Sequence, residues 1–168
     1  VFVMGRSIDE ALVRMDKPEH RGFTASFDML GEAARTEADA ERYFEAYGKA
    51  IDRLGARQGA DRHSISVKLS ALHPRYETAK AETCVPALSE MLRALCVRAA
   101  KAGVGLAVDA EESERLKISL DIIAETARAP ELKGWDKLGM AVQAYAKRAR
   151  TIVGWAEALG AETSRIIA

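Results

Sequence analysis

SISVKL at residues 64–69 and VGLAVD at residues 104–109 are short apolar runs that alternate branched or large side chains with small or polar ones, the pattern of a half-buried strand. Two further runs share it, GFTASFDML at 22–30 and LGMAVQ at 138–143. The sequence between them has helical spacing. Thr36 with Asp39 three residues on is a capping-box-like start, after which Ala40, Tyr43, Phe44, Tyr47, Ile51 and Leu54 recur every three or four residues until the Gly55–Gly59 region breaks the pattern. A loop after His73-Pro74 leads to a helix from about Thr83 to Lys101, with Pro86 expected in its first turn and Gly103 as its stop. Glu111 to Arg128 reads as a third helix, with Leu116, Leu120 and Ile123 on one face and Pro130 and Gly134 as punctuation. Lys147 to Leu159 reads as a fourth. Arg165-Ile166-Ile167-Ala168 reads as the first residues of a fifth strand.

Strands alternating with helices predict an α/β fold with a parallel sheet, either open and doubly wound or part of a (β/α)8 TIM-like barrel. A whole barrel takes roughly 250 residues, and the chain has 168. Four β/α units and a fifth strand beginning at the last residues amount to about half of a barrel, which gives the expectation of a fragment.

Composition narrows the function classes. Lys and Arg total 25, as do Asp and Glu, for a formal net charge of zero, so the basic surplus of a nucleic-acid-binding segment is missing. Hydrophobic residues make up 48%, enough for a core, but no apolar run approaches the ~18–20 residues that span a bilayer. The stretch from Val1 has no secretory signal pattern. Cys84 and Cys96 lack the spacing of a disulfide framework or a zinc site, and no metal is expected. A cytoplasmic compartment follows as the expectation.

Because side chains alternate along a strand, each run splits into an apolar face and a face of small or polar residues. In the second strand Ile65, Val67 and Leu69 oppose Ser66, Lys68 and Ser70. In the third, Leu106, Val108 and Ala110 oppose Ala107, Asp109 and Glu111. Near each strand's C-terminal end the second face presents one hydrogen-bonding group: Asp28, Lys68, Asp109 and Gln143. Ligands of parallel α/β folds bind outside those ends. A lysine there must be paired or must meet an anionic ligand, so an internal ion pair of Lys68 with Asp28 or Asp109 and a substrate-binding Lys68 both stay open. His73 reads as a base or as a loop-positioning residue. His20 and His63 read as solvated loop residues, and Trp135 and Trp155 as packing residues.

The segments FDMLGE (27–32), ISVKLSALHPRYE (65–77), VDAEESERLKISLDII (108–123) and VQAYAKR (142–148) resemble, in order and spacing, the proline dehydrogenase domain of the bifunctional proline utilization A flavoproteins. That resemblance implies a distorted (β/α)8 barrel that binds FAD at its strand ends, oxidises L-proline to Δ1-pyrroline-5-carboxylate and passes electrons to a quinone at the membrane surface. Position by position, it implies that Lys68 pairs with the proline carboxylate, that Asp109 lies beneath the flavin and orders Lys68, and that Ala110 lies against the flavin. It implies further that Gln143 hydrogen-bonds the isoalloxazine, that Glu32 is a gate residue, and that Asp28 supports the same cluster. The resemblance makes 1–168 the N-terminal half of the barrel domain, cut at the start of strand five. The family's later strands, its substrate-clamping arginines and a pyrroline-5-carboxylate dehydrogenase domain have no counterpart in it, so these residues alone are expected to be inactive. From residue types alone two other readings stand: a Schiff-base lyase using Lys68, and a non-catalytic half-barrel that binds a partner.

Overall fold

A β-branched, alternating run can be buried on one face only if its neighbours in the sheet keep the same register, and here they do. The computed structural model describes residues 3–57, 59 and 63–167. Strands β1 (Ser26–Asp28), β2 (Ser64–Val67), β3 (Gly105–Val108) and β4 (Leu138–Met140) form one sheet in the order β1-β2-β3-β4. All three pairings are parallel, with Phe27 opposite Ile65, Ile65 opposite Leu106, and Leu106 opposite Leu138. A doubly wound sheet reverses its strand order at a switch point, whereas these four strands run in unbroken chain order. They are consecutive units of the (β/α)8 type.

Helices α2 (Glu37–Gly55), α3 (Ala81–Ala102), α4 (Leu116–Ala127) and α5 (Ala149–Thr163) follow the strands, and α1 (Ile8–Met15) precedes them. Their apolar stripes close over the apolar strand face. Tyr47, Ile51 and Leu54 of α2, Leu88, Leu92 and Leu95 of α3, and Ile118 and Ile122 of α4 are almost fully buried with Ile65, Val67, Leu106 and Val108. Each such side chain contributes about 1.5–3 kcal/mol on leaving water. Cys84 and Cys96 are buried free thiols on α3, and burial pushes the Cys96 thiol well above its ordinary range. Helices α2 and α3 meet closely at Gly55, where a Cβ would stand 2.5 Å from that of Ala102.

Local rules account for the helix ends. Thr36 accepts from the Asp39 N–H and Asp39 accepts from the Thr36 N–H, a complete capping box at α2. Gly103 takes the left-handed conformation, φ +73°, and stops α3.

The structure corrects several expected boundaries. The first strand is Ser26–Asp28 and not 22–30: the ladder to β2 pairs Ser26, Phe27 and Asp28 with Ser64, Ile65 and Ser66, and it is entered where the Ala25 carbonyl accepts from the Ser64 N–H. The second ends at Val67, where Leu69–Ala71 curls into a single 3-10 turn. The third and fourth likewise end at Val108 and Met140. Helix α3 begins at Ala81, which puts Pro86 in its second turn. Helix α4 begins at Leu116, after a 3-10 turn at Ser113–Arg115. Helix α1, with Ser7 as its N-cap, was not anticipated. Arg165–Ile167 form no strand: the Arg165 N–H donates to the Gly160 carbonyl and closes the C-terminus of α5. Ala168, the last residue of that expected strand, lies outside the described residues, as does Val1.

Replacing Thr36 with Ala removes the cap acceptor and should destabilise the protein by about 1 kcal/mol. A urea midpoint that moves down with unchanged m-value would register it; an unmoved midpoint would show that the box adds nothing to the fold.

Candidate functional site

Register places the polar groups before any side-chain geometry is considered. Val67 is opposite Val108, so Lys68 and Asp109, each one residue further on, leave their strands side by side. Asp28 is opposite Ser66, two residues before Lys68 and on the same face. The Lys68 ammonium stands 2.9 Å and 3.0 Å from the two carboxylate oxygens of Asp28 and 2.9 Å from Oδ2 of Asp109. Both ion pairs left open by the sequence are therefore made, and made together.

The Lys68 side chain is 15% exposed, against 29% for Asp109 and 46% for Asp28. Burial alone pulls the Lys68 ammonium down and is the largest single influence. The hydrogen bonds it donates to Asp109 and then Asp28, together with the charges of those two carboxylates, outweigh it, and the pKa ends above its ordinary 10.5. Two carboxylates with one ammonium leave the trio at net charge −1. All three ammonium protons have acceptors within the protein.

Backbone contacts hold this trio. The Lys68 N–H donates to the Tyr47 hydroxyl at 3.2 Å, so α2 reaches through the core to the residue that follows β2. Burial pushes the Tyr47 phenol up to about 12, and it stays a neutral acceptor. The second oxygen of Asp109 accepts from the Ala110 N–H at 2.9 Å. Gln143 Nε2 donates to the Glu111 carbonyl at 3.3 Å, which brings the loop after β4 to the end of β3. On the face that carries Lys68 and Asp109, the register row beneath them is Ser66, Ala107 and Gly139. All three are small and leave room above the sheet.

Of the residues singled out from sequence, Asp28, Lys68 and Asp109 form one cluster, and Ala110 and Gln143 adjoin it through Asp109 and Glu111. Gln143 is not at a strand end, since β4 stops at Met140. Glu32 is exposed and makes no hydrogen bond or ion pair with another described residue. His73 accepts from the Arg75 N–H at 3.0 Å, a loop-positioning contact. His20 and His63 are half-buried and partnered within the protein, where full solvation was expected: His20 pairs with the Arg14 carbonyl, and His63 accepts from the Ala25 N–H and stacks edge-on with Phe27. Trp135 and Trp155 pack against the core. Sequence reasoning missed Tyr47, although a tyrosine on a buried helical stripe needs a partner for its hydroxyl. It also passed over Ser70 and Glu111, which share the face of Lys68 and Asp109.

Comparison with known proteins places this geometry in context. The family model for proline dehydrogenase matches residues 11–168. The bifunctional protein PutA of Escherichia coli (strain K12) is 42% identical over 158 residues, which is 92% of this chain and 12% of that protein. A crystal structure of a Bradyrhizobium japonicum proline utilization A variant is 46% identical, with a TM-score of 0.83 over 98% of this chain and 17% of the other. Proline utilization A from Bdellovibrio bacteriovorus has the same fold at 23% identity, TM-score 0.89 over 98% of this chain. The chain thus spans about an eighth of the length of the bifunctional PutA proteins it matches.

Two outcomes are expected from this cluster. Because the folded pKa of Lys68 is raised, its stabilisation is complete below the unfolded value of 10.5 and is lost as pH rises through the folded one. Stability should therefore decline above pH 10.5, and Lys68→Met should remove part of that decline; identical alkaline limbs would mean that the pairs contribute nothing. Tyr47→Phe strands the Lys68 N–H and should cost about 1–3 kcal/mol, measured as a lowered denaturation midpoint; an unchanged midpoint would mean that this N–H finds another acceptor.

Proposed function

The chain belongs to the proline dehydrogenase family, and from that membership and the strand-end geometry we propose that it contributes to FAD-dependent oxidation of L-proline to Δ1-pyrroline-5-carboxylate. The observation that carries the reading is the Lys68 ammonium held between Asp28 and Asp109 at the carboxyl ends of three parallel strands. In this reading residues 1–168 are the first half of the FAD-binding barrel, and electrons leave to a quinone at the membrane surface.

The residues present fit a flavin. The small row Ser66, Ala107 and Gly139 admits a flat ring, Ala110 follows Asp109 at the end of β3, and the Gln143 amide offers a polar edge whose Oε1 has no partner among the described residues. Ala110, Gln143 and Asp109 would hold the cofactor, whose chemistry when bound is acceptance of a hydride. The chain's own part is orientation. Lys68 supplies the positive charge for the proline carboxylate, and Asp109, the less exposed of its two partners, keeps the ammonium aimed. Asp28 is the more exposed partner, so it is the one that gives way when a substrate carboxylate accepts a hydrogen bond from the ammonium. Glu32, on the loop after β1, is the gate residue of this reading. Positioning of this kind supplies several kcal/mol of barrier lowering.

The Schiff-base lyase reading needs Lys68 as a free amine, which calls for a lowered pKa. Two carboxylates at 2.9 Å hold it protonated instead. That favours the carboxylate-binding role.

In the full-length gene product, Lys68→Ala should keep its flavin yet bind a carboxylate-bearing proline analogue about 10- to 150-fold more weakly, the loss of one charge-assisted hydrogen bond of about 1.5–3 kcal/mol. Asp28→Asn, which removes one of the ammonium's two anionic partners, should not weaken that binding. Flavin absorbance during titration reads both, and an unchanged affinity in Lys68→Ala would sink the assignment.

A further inference from the structure

Glu111 lies two residues beyond Asp109 on the same face, and its side chain is only 11% exposed. Its Oε1 accepts from the Ser70 N–H at 3.0 Å. Ser70, two residues beyond Lys68 and itself 5% exposed, then holds the loop after β1. Its hydroxyl accepts from the Ala33 N–H at 3.2 Å, and its carbonyl accepts from the Ala34 N–H at 2.8 Å. Ala33 sits in the left-handed region, φ +53°, a conformation that a residue with a Cβ keeps only when its surroundings enforce it. The two bonds to Ser70 are that enforcement, and they act one residue beyond the exposed Glu32. Through its own carbonyl Glu111 also receives Gln143. One side chain and one carbonyl thus connect the loops after β1, β2, β3 and β4.

We infer that Glu111 is a positioning residue for the strand-end site, and that it acts as a hydrogen-bond acceptor and not as a charge. Its carboxylate fixes the Ser70 turn that follows Lys68, and through Ser70 it holds the Glu32 loop in its left-handed conformation. The charge is dispensable by geometry. Arg115 lies 3.4 Å from Glu111 but 3.0 Å from Glu112 and also stacks on Tyr76, so it keeps partners when Glu111 is neutral. The Ser70 N–H has no second acceptor among the described residues. The consequence for turnover rests on the proposed function above; the consequence for the loop does not.

The test uses the full-length gene product with Glu111→Gln, Glu111→Ala and Ser70→Ala. It reads amide hydrogen exchange at residues 33, 34 and 70 beside flavin content and the separate kcat and KM for proline. Glu111→Gln keeps an acceptor oxygen and should preserve amide protection, with kcat/KM within about twofold of the parent. Glu111→Ala should speed exchange at all three amides about tenfold or more and raise KM more than it lowers kcat, because a loosened loop must be ordered at each binding event. Ser70→Ala should expose the Ala33 amide while the amide of residue 70 stays protected. If Glu111→Ala fails to fold, that selective pattern still decides the loop's anchorage. Equal damage from Gln and Ala would make Glu111 an ion-pair residue and overturn the inference, as would protected loop amides in Glu111→Ala. A parent protein that neither binds flavin nor oxidises proline would sink the proposed function, while the exchange data would still judge the positioning role.

Discussion

One ammonium shared by two carboxylates is the constraint on which the site depends. Asp28, Lys68 and Asp109 come from three successive strands, and they meet at 2.9–3.0 Å only because all three strands are parallel and in register. A slip of one residue in β2 would turn Lys68 toward the helices, where an unpaired ammonium would be prohibitively costly. The ion pairs therefore specify register as much as they add stability. Pairs that are partly buried contribute little net free energy against an apolar alternative, yet losing a single partner is expensive.

Much of this was legible in the sequence. Alternation in SISVKL and VGLAVD gave the strands, and parity within them put Lys68 and Asp109 on one face. Chain-order repetition of strand and helix gave the parallel sheet, and the Thr36–Asp39 spacing gave the start of α2. What stayed hidden depends on distances between elements. Tyr47 could be placed on a buried stripe, but its acceptor role toward the Lys68 N–H exists only once α2 lies on β2. Ser70 and Glu111 carried the right parity, but a side chain bonded to a backbone N–H forty-one residues away leaves no periodic trace. Strand ends were overextended because apolar alternation continues past the last ladder bond, as at Leu69, where the chain instead curls into a 3-10 turn.

The site divides its labour between the two layers. Behind the sheet, α2 and α3 supply apolar bulk and one phenol aimed at the backbone. In front, small residues keep the floor low while charged ones stand at its rim. The rim is negative overall, so an anionic group can approach Lys68 only by exchange with a carboxylate already there. Such an exchange swaps one charge-assisted bond for another and changes less free energy than filling a bare cationic pocket would. Selectivity then rests on fit more than on attraction.

The chain-order pairing of the strands also bears on how the protein comes to be. Each strand's partner is only one helix away along the chain, so every docking step closes a loop of modest length and the entropy of closure stays nearly constant from unit to unit. On the ribosome, the β1–α2–β2 unit can settle before β3 has emerged, and each later strand then finds a template already formed. Asp28 and Lys68 would meet first in that sequence, with Asp109 arriving as the second carboxylate. Assembly of the charged rim would thus be vectorial, following the order of synthesis.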